Sequence, residues 1–257
     1  MNRYRLYLRG VLPLWLDSVY ETETLASLAH YAWLNPSYIF PEVRTPSAGE
    51  ALLETLGIGH PLLRDNVRVK NDFTLREVGD IALITGSNMS GKSTFLRTVG
   101  VNLVLAFCGS VVTAGEFRVA PMRLFSSMSV SDSVIDGISF FYAAVRRLKL
   151  LLTDARSTDS LPLFFLIDEI FRGTNNRERL IGSRAFIRAL AGTNAIGLVS
   201  THDLELVHLE EEIPSIANYH FREEVENGRM VFEYTIRRGP CPTTNALRIM
   251  EIEGLPV

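Results

Sequence analysis

The stretch ITGSNMSGKSTFLR, residues 84–97, decides how the rest of this chain is read. Gly86, four residues, then Gly91, Lys92 and Ser93 fit G-x-x-x-x-G-K-[ST], the Walker A pattern of a phosphate-binding loop. Glycines let such a loop turn tightly and aim its N–H groups at phosphate oxygens. The pattern makes Gly86, Ser87, Asn88, Met89, Ser90, Gly91 and Thr94 nucleotide-binding positions. Lys92 reaches the β- and γ-phosphates, and the Ser93 hydroxyl sits on Mg²⁺. The flanks agree. Asp80 to Thr85 reads as a buried strand, and Ser93 to Phe107 as a helix with Phe95, Leu96, Val99, Leu103 and Phe107 apolar. A strand, a glycine loop and a helix N-terminus together make an anion site.

The chain has 257 residues, 47% of them hydrophobic, which suits one domain or a domain with an appendage. A net charge of −3 forces no strongly basic surface, so the totals do not argue for nucleic acid, although a local patch remains open. Arg146, Arg147 and Lys149 cluster, and on a helix they read as a solvated face. Cys108 and Cys241 lie far apart without metal-ligand spacing, which fits a reduced, cytoplasmic chain. No signal peptide is evident, and the apolar runs at 101–106 and 109–114 are too short to span a bilayer. The start, MNRYRLYLRGVLPLWL, is basic and then apolar. It suits a helix on a membrane surface or a helix packed on protein. Pro13 and the acids Asp17, Glu21 and Glu23 favour packing, and no membrane partner is expected.

Asp17 to Leu34 reads as a helix stopped by Asn35-Pro36, and residues 42–50 as a linker. From Gly59 onward strands and helices alternate, which predicts an α/β fold with a mostly parallel sheet flanked by helices. Ala217 to Val225 and Met230 to Arg237 flank Asn227-Gly228, an antiparallel hairpin signature.

The apolar run Leu163 to Ile167 ends in Asp168-Glu169, as the second half of an ATPase site does. Asp168 is placed to hold Mg²⁺, directly or through water, and Glu169 to deprotonate the attacking water. The strand Ala195 to Ser200 ends in Thr201-His202-Asp203, and His202 is placed to donate to the γ-phosphate. His30, His60, His208 and His220 have no such placement and read as structural.

Taken together, the loop, the segment Asp168-Glu169-Ile170-Phe171-Arg172-Gly173-Thr174 and Ser200-Thr201-His202-Asp203 resemble the MutS ATPases of the ABC superfamily. The resemblance runs from about Ser27 to Pro256 and takes in GHPLL at 59–63, KND at 70–72 and EGLP at 253–256. It implies a P-loop NTPase of ABC-ATPase type over residues 46–257, preceded by a short helical segment, residues 1–45, from the family's lever region. It implies ATP and Mg²⁺ as cofactors. Its partner is itself, in an ATP-dependent homodimer whose composite sites are each completed by Ser139 of the other copy. It implies DNA as a partner through domains outside this chain. Asn71 falls near the adenine base, and Arg68 falls where an aromatic commonly stacks on it. The chain departs from the family at Ser87 (usually Pro), Ser90 (usually Gly), Phe140 (usually Thr), Ala144 (usually an acid) and Asn175 to Arg179. Three functions are open to such a chain: a MutS-type ATPase module, a nucleotide-gated assembly module with little hydrolysis, and another ABC-type ATPase.

Overall fold

The computed structural model describes residues 2–87, 89–128, 140–158, 160–171, 174–226 and 229–242. Chain order is α1 (Asn2–Leu34), β1 (Glu42–Val43), β2 (Leu53–Ile58), β3 (Asn71–Leu75), β4 (Ile81–Thr85), α2 (Lys92–Phe107), β5 (Glu116–Val119) and β6 (Arg123–Ser127). Then come α3 (Phe140–Ala155), β7 (Leu163–Asp168), α4 (Asn176–Leu190), β8 (Ala195–Ser200), a 3₁₀ turn (Leu204–His208), α5 (Leu209–Glu212), β9 (Ile216–Glu226) and β10 (Arg229–Arg238).

The fold is mixed α/β. A six-stranded sheet has the order β10-β9-β4-β8-β7-β6; β9 through β6 pair in parallel, and β10 returns antiparallel to β9 as the hairpin signature predicts. Strands β4, β7 and β8 are buried at every residue. Such continuous apolar strands belong to parallel sheets covered on both faces. Their alternate side chains go to opposite cores. Ala82, Ile84, Phe164, Leu166, Ile196 and Leu198 join α2 residues Leu96, Val99 and Leu103 on one face. Ile81, Leu83, Phe165, Ile167 and Val199 meet Leu148 and Leu151 of α3 and Ile187 and Leu190 of α4 on the other.

A second sheet, of order β1-β5-β2-β3, is a departure from the single parallel sheet that the alternation of elements suggested. Only β1 and β5 pair in parallel; β2 lies antiparallel to both β5 and β3. Its strands are short and mostly alternate buried with less buried residues, so they carry the period-two pattern of a sheet with one covered face. Leu53, Ile58, Phe73 and Phe117 point from it into the core shared with α2.

The amino-terminal region differs from expectation. The packed helix interrupted at Pro13 is instead one 33-residue helix that runs through Pro13, with most of its apolar side chains exposed. Inside a helix a proline removes one hydrogen bond and crowds the carbonyl four residues back, at a cost of about 3 kcal/mol, and α1 continues through it. The helix is tied to the domain near its end, where the Tyr31 and Tyr38 rings meet edge-on and Ile39 bridges Val112. The stretch read as a linker starts in β1, and Arg44 N–H continues the pairing onto Val119 O.

One position tests the sheet. Gly197 of β8 lies opposite Phe165 of β7, and a Cβ there would stand 2.0 Å from the Phe165 carbonyl oxygen. Gly197→Ala overpacks the sheet centre and is expected to cost about 3 kcal/mol or more, read as a lowered urea midpoint.

Candidate functional site

Strands β4, β8 and β7 end level. Ile84 pairs with Ser200, and Ser200 pairs with Asp168 on its other side. The carboxyl ends of neighbouring parallel strands are where open α/β sheets present polar groups to a ligand. The loop leaves β4 and enters α2 at Lys92. Two positive-φ glycines make its turn, Gly86 at 144° and Gly91 at 112°. A Cβ on Gly86 would also stand 2.8 Å from Phe221 O and from Ser90 Oγ, so both conformation and space call for glycine.

The Lys92 side chain folds back into its own loop. Its Nζ donates to Gly86 O at 2.8 Å and to Ser87 O at 2.6 Å. Burial pushes the ammonium pKa down, against the opposing pull of Glu169, Asp168, Glu223 and Cys241. Ser90 Oγ donates to Ser87 O at 2.9 Å, and the Ser87 hydroxyl donates to the buried Glu223 carboxylate of β9.

Next to the loop stands a continuous hydrogen-bonded row. Ser93 Oγ donates to Asp168 Oδ1 at 3.0 Å, and Ser200 Oγ donates to the same oxygen at 2.6 Å. Glu169 N–H donates to Ser200 Oγ at 3.1 Å. Glu169 Oε1 lies 2.7 Å from His202 Nε2. Glu169 takes a left-handed backbone, φ 57°, which turns the chain out of the strand line directly after Asp168. One residue beyond His202, Asp203 holds Arg179 in a two-pronged ion pair at 2.9 and 2.8 Å.

A cavity of about 510 Å³ opens beside this row, at Ser93 and Glu169. Lys92, Ser93 and Glu169 are among the polar residues that line it. Ile58, Val67, Val69 and Met89 are among the apolar ones. Among the described residues no group of three or more His, Cys, Asp and Glu side chains could hold a metal ion. The Ser93–Asp168 oxygen pair is the kind of hard donor set that magnesium takes when phosphate oxygens and water fill the remaining positions.

The structure thus brings Gly86, Ser87, Met89, Ser90, Gly91, Lys92, Ser93, Thr94, Asp168, Glu169 and His202 to one region around this cavity. Asn88, Ser139, Arg172 and Gly173 lie outside the described residues. Asn71 also lines the cavity, but its amide is committed: Nδ2 donates to Tyr234 O at 3.1 Å, and Oδ1 accepts from Ile236 N–H at 2.7 Å. It pins the bulge in β10 where Tyr234 takes φ 53°. The Arg68 guanidinium lies over the Tyr38 ring and bonds to His60 O and Asp65, while its neighbours Val67 and Val69 line the cavity. His60 also lines the cavity. Of the basic cluster, Arg147 is pinned by its bond to Ser126 O, while Arg146 and Lys149 are exposed.

Sequence reasoning missed Ser200, Glu223, Tyr234 and Arg179 as site-builders. Arg179 had a local signal. Asn175 caps α4 by accepting from Glu178 N–H at 2.9 Å, and an Asn followed three residues later by Glu marks a helix start. That start places Arg179 one turn in, facing Asp203.

Residues 82–257 match the family model for MutS domain V. The chain is 30% identical over 249 residues to the DNA mismatch repair protein MutS of Chloroflexus aurantiacus, covering 94% of this chain and 25% of that protein. It is 34% identical over 191 residues to the DNA mismatch repair protein MutS of an Exiguobacterium species, covering 73% of this chain and 22% of that protein. The chain belongs to the MutS family, and it spans about a quarter of the length of these relatives. No helix among the described residues is long and apolar enough to cross a membrane.

Two outcomes test the site's construction. Asn71→Leu leaves Ile236 N–H and Tyr234 O without their partner and is expected to cost about 1–3 kcal/mol in urea unfolding. Burial, with Arg97 and Arg68 nearby, lowers the pKa of His60, whose Nδ1 accepts from Leu62 N–H at 3.2 Å. The fold therefore favours neutral His60, a contribution present above the unfolded value of about 6.5 and lost as pH falls below it. His60→Asn should shrink the difference in urea midpoint between pH 7.5 and pH 5.5.

Proposed function

We propose that this chain is the MgATP-driven module of a MutS-type DNA-repair assembly, hydrolysing ATP at a site that a second copy completes. The observation that carries the reading is the row Ser93–Asp168–Ser200–Glu169–His202 set beside Lys92. It combines a P-loop, an acidic strand end and a histidine within one hydrogen-bonded network. Residues 46–257 form the ATPase domain in this reading, and residues 1–45 extend from a lever region. DNA is met through parts of the assembly outside this chain, as the mismatch-repair relatives suggest.

Lys92 exchanges its loop carbonyls for β- and γ-phosphate oxygens, which offset the burial cost of its charge. Ser93 and Asp168 would hold Mg²⁺, which supplies charge neutralisation on the phosphates. The first turn of α2, from Lys92 through Thr94, donates backbone N–H groups. The apolar residues of the cavity lining receive the base, beside Tyr234, which Asn71 braces. Glu169 takes the proton of the attacking water as its oxygen bonds to the γ-phosphorus and the bond to the bridging oxygen breaks. His202 holds the Glu169 carboxylate in line and, once that contact opens, donates to the γ-phosphate. Ser139, reaching across the dimer, contributes a hydroxyl to the same phosphate.

A second reading, a nucleotide-gated assembly module with little hydrolysis, is motivated by Phe140 and Ala144, which stand where the family's signature usually has a threonine and an acid. Turnover per chain, measured with Mg²⁺ over a wide range of protein concentration, separates the two. The ATPase reading expects the rate per chain to climb with concentration. Lys92→Ala should abolish ATP binding, and Glu169→Gln should keep binding while turnover falls about 100-fold or more. Undiminished turnover in Glu169→Gln would remove the base role. A rate independent of concentration in a chain of monomer mass would remove the composite site. ATP-dependent dimer mass without turnover would favour the second reading.

A further inference from the structure

We propose that Asp203 is a positioning residue that commits the Arg179 guanidinium to itself and so leaves the Glu169 carboxylate to His202. The role deepens the ATPase reading and rests on it, since Glu169 serves there as base and His202 as the group that holds it in line.

Two nitrogen side chains stand near Glu169. His202 Nε2 lies 2.7 Å from Glu169 Oε1. Arg179 is the other. Its pKa is raised first by the hydrogen bonds to Asp203, and the charges of Asp203 and Glu169 add to that against the opposing effect of burial. A guanidinium is always charged and grips a carboxylate with two parallel N–H groups, which one imidazole nitrogen cannot match. Without Asp203 it would take Glu169 from His202. The structure shows it engaged elsewhere. Arg179 Nε donates to Asp203 Oδ2 at 2.9 Å and Nη2 to Oδ1 at 2.8 Å, so both oxygens of Asp203 are used. The two side chains are only 26% and 16% exposed, so water and salt screen the pair less than they would on an open surface.

Both ends of the pair are fixed. Asp203 N–H donates to Thr201 Oγ1 at 3.0 Å, and Thr201 N–H donates to Ile84 O of β4 at 3.0 Å, so the carboxylate is tied to the sheet. Asp203 O accepts from Leu206 N–H at 3.1 Å, where the 3₁₀ turn begins. On the other side, Arg179 N–H donates to Asn175 O at 2.9 Å in the first turn of α4, the turn that Asn175 caps. The arginine thus ties α4 to the end of β8, and the aspartate keeps the positive charge of that tie off the base. Arg179 falls in the stretch that departs from the usual family sequence, so an arginine placed here brings with it the need for a carboxylate to hold it.

Double substitution separates this role from a simple brace. If the pair only ties α4 to β8, losing both members does no less harm than losing one. If Asp203 restrains Arg179, then Asp203→Asn is harmful because the arginine remains and turns to Glu169, and adding Arg179→Met relieves the harm. Asparagine keeps the shape and backbone bonds of Asp203, so the circular dichroism of the fold is expected to hold. The first readout needs no nucleotide. In proton–nitrogen NMR spectra of the histidine rings, with His202 assigned through His202→Gln, Asp203→Asn should shift the His202 Nε2 signal, and the double variant should bring it back towards the wild-type position. The second readout is turnover. Asp203→Asn should lower kcat about tenfold or more with KM for ATP changed by less than about twofold, and the double variant should recover most of the loss. A His202 signal unmoved by Asp203→Asn, or a double variant no better than Asp203→Asn in either readout, would overturn the proposal. A wild-type chain without turnover would remove the ATPase reading alone, and the ring signals would still decide whether Asp203 leaves Glu169 to His202.

Discussion

The hydrogen bond from Ser200 Oγ to Asp168 Oδ1, 2.6 Å long, is possible only because β7 and β8 run parallel with those two residues opposite each other. A slip of one residue would turn Asp168 to the other face of the sheet. Ser93 would then lose its acceptor, and Glu169 N–H would lose Ser200. The register is held by the apolar run before it, whose side chains divide strictly between two cores. The polar site is thus a consequence of apolar packing a few residues away. Gly197 shows how little slack there is, since the strands come so close that one methyl group meets a carbonyl oxygen.

Burying charge beside that row sets a second constraint. Lys92, Asp168 and Glu223 are all buried, and burying an ion is costly unless it is paired or hydrogen-bonded. Each has partners here: loop carbonyls for Lys92, two hydroxyls for Asp168, the Ser87 hydroxyl for Glu223. The lysine's ammonium is held by carbonyl dipoles of its own loop, which ties the side chain to the turn it helps to form.

The departures from the usual family loop gain a physical meaning in this arrangement. Ser87, standing where proline is usual, supplies the hydroxyl that pairs with Glu223. Ser90, standing where glycine is usual, bonds back to Ser87 O and so ties the two substituted positions together. Further along, Asn175 and Arg179 fall in the stretch that diverges from the family pattern, and they cap α4 and hold Asp203. Substituted positions here support one another locally rather than leaving gaps.

The glycine loop, the acidic strand end, the histidine after β8 and the terminal hairpin were legible in the sequence, because each is a local pattern: spacing, an apolar run, or turn residues between two strands. Helix α1 was only half legible, since the periodicity marked a helix but could not say whether anything packs on it. What the tertiary structure alone decided is which distant residues meet. Asn71 lies 163 residues from Tyr234, and Ser93 lies 75 from Asp168, yet both pairs are in hydrogen-bond contact. No local period encodes such a meeting. It depends on strand order, on register and on a bulge in β10, and those follow from burying both faces of one sheet at once.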